Sequence, residues 1–194
     1  MLLSACVGGQ SPIPHVHMQT KHTLTHKAFS YYGLKEIKDR NIISQLMDVD
    51  PVTTEWCAAF VNMVLKQNYY PTSNEVSNYP LMARSFLEWG DPVNKPEQGD
   101  VVIFTRGKSG WQGHVGFYVS TKIINGQPHY SVLGGNQDDA VSIKQYPVSD
   151  LIGIRRSPVV INGTRSRTRT GTPNARDFKS PVSTIPPCEH SIPY

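Results

Sequence analysis

The sequence predicts an α+β fold, with helices in the first part of the chain packed on an antiparallel sheet built from the second. Two observations carry this. Apolar residues recur at three- and four-residue intervals up to about residue 66, as on amphipathic helices. From about residue 100 the pattern changes to short β-branched runs bounded by turn residues, as in consecutive strands.

Helical periodicity runs from Thr25 to about Tyr32 and from Asp39 to Met47, with a joint near Gly33. Thr53 or Thr54 is placed to cap a third helix from about Glu55 to Lys66, with an acidic residue in its first turn. Ala58, Ala59, Phe60, Val61, Met63, Val64 and Leu65 make that helix apolar nearly all round, so it should be buried against the sheet. A further helix is expected over Leu81 to Trp89, closed by Gly90 with Pro92 just beyond. Pro96-Glu97-Gln98-Gly99-Asp100 has turn chemistry, and Val101-Val102-Ile103-Phe104 follows as a strand. The next strand should span His114 to Ser120, after a polar loop from Gly107 to Gly113. Later strands are expected at Tyr130 to Leu133, Val141 to Gln145 and Ile152 to Arg155.

A chain of 194 residues suits one globular domain with a real core. Its net charge of +4 is uneven, because residues 162–194 hold Arg165, Arg167, Arg169, Arg176 and Lys179 against Asp177 and Glu189. The rest is near neutral, which argues against a nucleic-acid-binding core, since phosphate binding gathers basic residues on one folded face. No run of about eighteen apolar residues marks a membrane span. Residues 162–194 have few large apolar side chains, and their composition predicts disorder. Thr164 to Thr184 also looks like the translation of a frame running through a structural RNA gene, which would leave this tail without a selected function. The organisation expected is a leader over 1–22, a catalytic domain over 23–158 and a basic tail over 159–194. Leu3-Ser4-Ala5-Cys6 resembles the lipobox of bacterial lipoproteins, which implies a lipid on Cys6 and a start inside a longer signal; the alternative is a chance match. Cys6, Cys57 and Cys188 are too widely spaced for a disulfide framework or zinc knuckle, which leaves a nucleophile among them to consider.

A thiol becomes nucleophilic when its thiolate is stabilised, and a helix N-terminus does so through its partial positive charge and free N–H groups. Cys57 has that setting, and the same N–H groups can receive an oxyanion. The base must be an imidazole on a rigid element, and His114 opens the strand Gly113-His114-Val115-Gly116-Phe117-Tyr118-Val119. Asn136, in Gly134-Gly135-Asn136-Gln137, is the first choice to orient the imidazole, with Asp138 and Asp139 in reserve. Each residue also has a structural reading: a core cysteine, a structural histidine, a turn asparagine. Their order, a cysteine at a helix start followed by a histidine opening a strand and a polar residue ending the next, favours chemistry.

Trp56-Cys57-Ala58-Ala59-Phe60-Val61-Asn62, the Pro-x-x-Gly-Asp turn ending at Asp100, Gly113-His114-Val115-Gly116 and Gly134-Gly135-Asn136-Gln137 together resemble the CHAP family (cysteine, histidine-dependent amidohydrolases/peptidases) and its NlpC-type relatives. The resemblance covers about residues 25–157. It implies a papain-like cysteine hydrolase fold and cleavage of peptidoglycan amide bonds in the stem peptide or at its sugar link, with no metal or other cofactor. It puts Cys57 in the nucleophile position, His114 in the base position and Asn136 in the third, with Trp56, Gly113 and Gln137 beside the substrate. The expected partner is the peptidoglycan stem peptide, in the bacterial envelope or outside the cell. Two other readings remain open: acyl transfer on the same fold, and a wall-binding module whose machinery has decayed.

Overall fold

The structure is a computed structural model that describes residues 24–157, together with the backbone of 159–161 and 164–166. The expected leader, the lipid site at Cys6, and Cys188 lie outside the described residues. So does the basic tail, except that the backbone of Thr164–Ser166 pairs antiparallel with Val159–Ile161. In the sequence Val159-Val160-Ile161 is a β-branched run, and Asn162-Gly163 after it is a strong hairpin signal.

Helix α1 covers residues 24–29, α2 Arg40–Met47 and α3 Cys57–Gln67. Strands β1 (Asp91–Pro92), β2 (Val101–Thr105), β3 (Gly113–Ile124), β4 (Gln127–Gly134), β5 (Ser142–Pro147) and β6 (Leu151–Arg156) form one sheet in the order β1-β6-β2-β3-β4-β5, every pair antiparallel. The α+β arrangement predicted from the sequence is therefore observed.

Two expectations fail locally. Leu81 to Trp89 is not an α-helix; only Ala83–Leu87 turns, as a 3-10 helix. Its buried apolar residues Ala83 and Phe86, and the buried Trp89 just beyond it, recur every three positions, which matches three residues per turn. Helix α3 begins at Cys57, and neither Thr53 nor Thr54 caps it. The N-cap is Trp56, with no side-chain cap bond and no acidic residue in the first turn, while the Thr53 hydroxyl donates to the Asp50 carbonyl at 3.4 Å. Glu55 lies outside the helix.

The connection between β5 and β6 dictates the shape of the sheet. Four strand spacings separate them, about 19 Å across a flat sheet, yet the three-residue link Val148–Asp150 spans at most about 14 Å. The sheet must curl. Phe104 on β2 and Tyr146 on β5 accordingly stack with ring centres 4.9 Å apart. Val101, Ile103, Val115, Phe117 and Leu133 on one face join α3 in the main core, and Val102, Phe104, Val132 and Ile154 form a second core on the other.

Candidate active site

Cys57 is the first residue of α3, buried and unpaired by any disulfide. Since no side chain caps the helix, its first-turn N–H groups are left for the thiol and for a reacting carbonyl. The thiol lies against the backbone N–H of Val115 and of Ala58. Val115 is the residue next to His114, so the helix start meets β3 beside the imidazole. Burial pushes the Cys57 thiol above its ordinary range, opposed by the Val115 N–H, the Arg106 guanidinium and the Ala58 N–H.

His114 pairs across the β2/β3 ladder with Phe104 and shares its face. Its ring stacks on Tyr146, centres 4.9 Å apart and planes 15° apart. Burial holds the imidazole down at about 4, and the hydrogen bond to Gln137 only partly offsets this.

Gln137, rather than Asn136, is the imidazole's partner: His114 Nε2 lies 3.1 Å from Gln137 Oε1. The Gln137 amide NH2 faces the carbonyls of Val132 and Gly134 at 3.3 Å and of Ser142 at 2.5 Å. Its oxygen is thereby turned to the ring and has no proton to give, so Nε2 must carry the hydrogen and Nδ1 keeps its lone pair. This is the tautomer a base needs.

Asn136 turns away, donating through Nδ2 to Glu55 Oε2 at 2.7 Å. Its backbone is left-handed, φ 55°. Asp138 and Asp139 are left-handed too, and Asp138 binds Lys144 rather than the ring. The two glycines before Asn136 make the approach possible. A Cβ on Gly134 would stand 3.3 Å from both His114 Nε2 and Gln137 Oε1; one on Gly135 would fall 2.6 Å from the Trp56 ring.

The remaining expectations divide. Trp56 does not line a cleft: it is fully buried, and its indole N–H donates to Glu36 Oε2 at 2.9 Å. Gln137 is buried with its amide groups engaged in the protein, which fits an orienting group and not a substrate contact. Gly113 is half-buried, and a Cβ there would lie 3.0 Å from the Phe104 carbonyl, so close packing accounts for it. Tyr146 was missed, because a tyrosine on a distant strand reaches His114 only through the curl. Glu55 and Arg106, ion-paired at 2.9 Å beside the site, were also missed; the single signal for them was a carboxylate two residues before Cys57.

A groove of about 830 Å³ runs along another side of α3, lined by Ala59, Met63, Lys66 and Tyr69 among others, with none of Cys57, His114 or Gln137 on its walls. The candidate set therefore sits at the junction of α3 and β3 and not in that groove.

No curated protein and no solved structure matches the chain. A protein-family comparison matches residues 49–136 to the CHAP domain, a span that holds Cys57 and His114 and stops one residue short of Gln137. The chain thus carries a CHAP-like domain, similar over those residues to a family whose members are generally amidohydrolases and peptidases.

Proposed function

We propose that this chain hydrolyses amide bonds of peptidoglycan through an acyl-enzyme on Cys57. The observation that carries the reading is the Gln137-fixed His114 tautomer, one residue along β3 from the Val115 N–H that the Cys57 thiol meets at an uncapped helix start. At neutral pH thiol and imidazole both rest uncharged, so the Sγ proton passes to His114 Nδ1 as the sulfur attacks the carbonyl carbon. First-turn N–H groups of α3 receive the oxyanion. Collapse breaks the C–N bond, and Nδ1 returns its proton to the leaving amine. Water then attacks the thioester, giving one proton to Nδ1; as the C–S bond breaks Nδ1 hands that proton to the Cys57 sulfur, and the released acid loses its own to solvent as the carboxylate. Such a substrate places the enzyme's work in the bacterial envelope or outside the cell.

The test is digestion of purified sacculi followed by mass spectrometry. Wild type is expected to release muropeptides carrying the mass of one added water, and Cys57→Ala none. Gln137→Ala, which frees the tautomer, is expected to lower kcat about 100-fold or more. Release by Cys57→Ala would sink the reading, and products joined to an added amine would mark acyl transfer in place of hydrolysis.

A further inference from the structure

Three side chains outside the Cys57, His114 and Gln137 set form a polar bridge over the same stretches of chain. Glu55 Oε2 accepts from Asn136 Nδ2 at 2.7 Å and from Arg106 Nη1 at 2.9 Å. Glu55 stands two residues before Cys57, and Asn136 one residue before Gln137. Arg106 directly follows β2, whose last residues Phe104 and Thr105 pair with His114 and Gly113. Each member of the bridge is tied by one or two residues, or by one ladder rung, to one member of the inner set. A single carboxylate oxygen joins them.

We propose that Glu55 is a positioning residue: by holding Asn136 and Arg106 it fixes the mutual placement of the segments carrying Cys57, His114 and Gln137. This rests on Cys57 and His114 being nucleophile and base, but not on which substrate they take. The loop that bears Gln137 leaves the regular ladder through left-handed residues at Asn136, Asp138 and Asp139, and its internal bonds to Val132, Gly134 and Ser142 do not tie it to the stretch before Cys57, as Glu55 does.

Stability, charge and positioning predict different things here. The Glu55 and Arg106 side chains are 74% and 49% exposed, so their pair adds little to folding. Charge alone gives a sign: the Glu55 carboxylate opposes the thiolate, so its removal should quicken thiol reactions. Positioning gives the opposite sign, since misplacing reacting groups by about 1 Å costs roughly 100-fold in rate.

The experiment measures iodoacetamide alkylation at Cys57 in the full chain, read by peptide mass spectrometry, with and without His114→Gln. Glu55→Ala is expected to slow the His114-dependent part of the rate tenfold or more, with an unchanged thermal midpoint. Glu55→Gln keeps an acceptor and should recover most of the rate, whereas Asn136→Asp sets two carboxylates against each other and should resemble Glu55→Ala. Alkylation as fast as wild type or faster in Glu55→Ala overturns the proposal, as does a loss in every variant that simply follows a lowered thermal midpoint. Because no substrate enters the assay, inactivity on sacculi has no bearing on its outcome. A wild-type rate that ignores His114 defeats the nucleophile and base assignment, and the proposal with it.

Discussion

Burial takes the His114 side chain out of water and holds its titration at about 4, against an ordinary value of 6.5. In the unfolded chain the ring binds its proton near 6.5, so between these values the unfolded state holds the extra proton. Stability contributed by the neutral buried ring is complete above about pH 6.5 and is lost as pH falls to about 4, on the order of 3 kcal/mol in all. Urea unfolding at pH 7 and pH 4 should show that loss in wild type, and a loss smaller by about that amount in His114→Gln. Equal losses would mean that the folded ring is charged. Cys57 works in the other direction: its raised thiol favours folding at low pH and loses that contribution as the medium becomes strongly alkaline. At this scale the sequence picked out Cys57 and His114, which the structure brings to the α3 start and the β3 start, and did not pick out the hydrogen-bond partner of the imidazole. Asn136 and Gln137 are adjacent polar residues in one turn, and only their tertiary partners, Glu55 for the first and His114 for the second, tell them apart.

Helix α3 shows how an element can be positioned without the usual ends. It starts at Cys57 with no side-chain cap, which costs stability but leaves the N–H groups free for chemistry. It ends with the Tyr70 N–H on the Leu65 carbonyl at 3.0 Å and the Tyr69 N–H on the Lys66 carbonyl at 3.1 Å, a Schellman closure. The left-handed position of that closure holds Tyr69, φ 59° and 91% exposed, where glycine is the unstrained choice. Tyr69→Gly is therefore expected to stabilise the protein by roughly 0.5–1 kcal/mol, visible as a higher urea midpoint with the same slope. A lower midpoint would mean that the exposed ring makes contacts worth more than the strain. The extent of α3 was readable because its apolar run is long. The 3-10 segment at Ala83–Leu87 was not, because spacings of three and four overlap over so few residues.

Across the whole molecule, the curl of the sheet brings the second core to His114. Tyr146 arrives from β5 to stack on both Phe104 and His114, although β2, β3 and β5 are not all neighbours in the sheet. The β4–β5 loop closes over the start of α3 at the same place, and Gly135 permits it, since a Cβ would fall 2.6 Å from the Trp56 ring and 2.7 Å from the Phe60 Cβ. Both rings are fully buried and have no room to retreat. Gly135→Ala is expected to cost about 1–3 kcal/mol in urea unfolding and to weaken activity more than that loss of stability explains, because the displaced loop carries Gln137. Unchanged stability would show that the loop lifts freely.

What the sequence by itself determined is what periodicity and local chemistry determine: helices before strands, the α3 core run, the turn before β2, and Cys57 and His114 as a candidate pair. These follow from residue types at fixed local spacings, which a chain carries whatever its tertiary partners. Only the tertiary structure decided that Gln137 bonds the imidazole, that Trp56 is core, that Tyr146 lies on the ring and that Glu55 bridges Asn136 and Arg106. Those choices depend on the curl of a six-stranded sheet and on left-handed residues in one loop, and no local pattern records where such features aim a side chain.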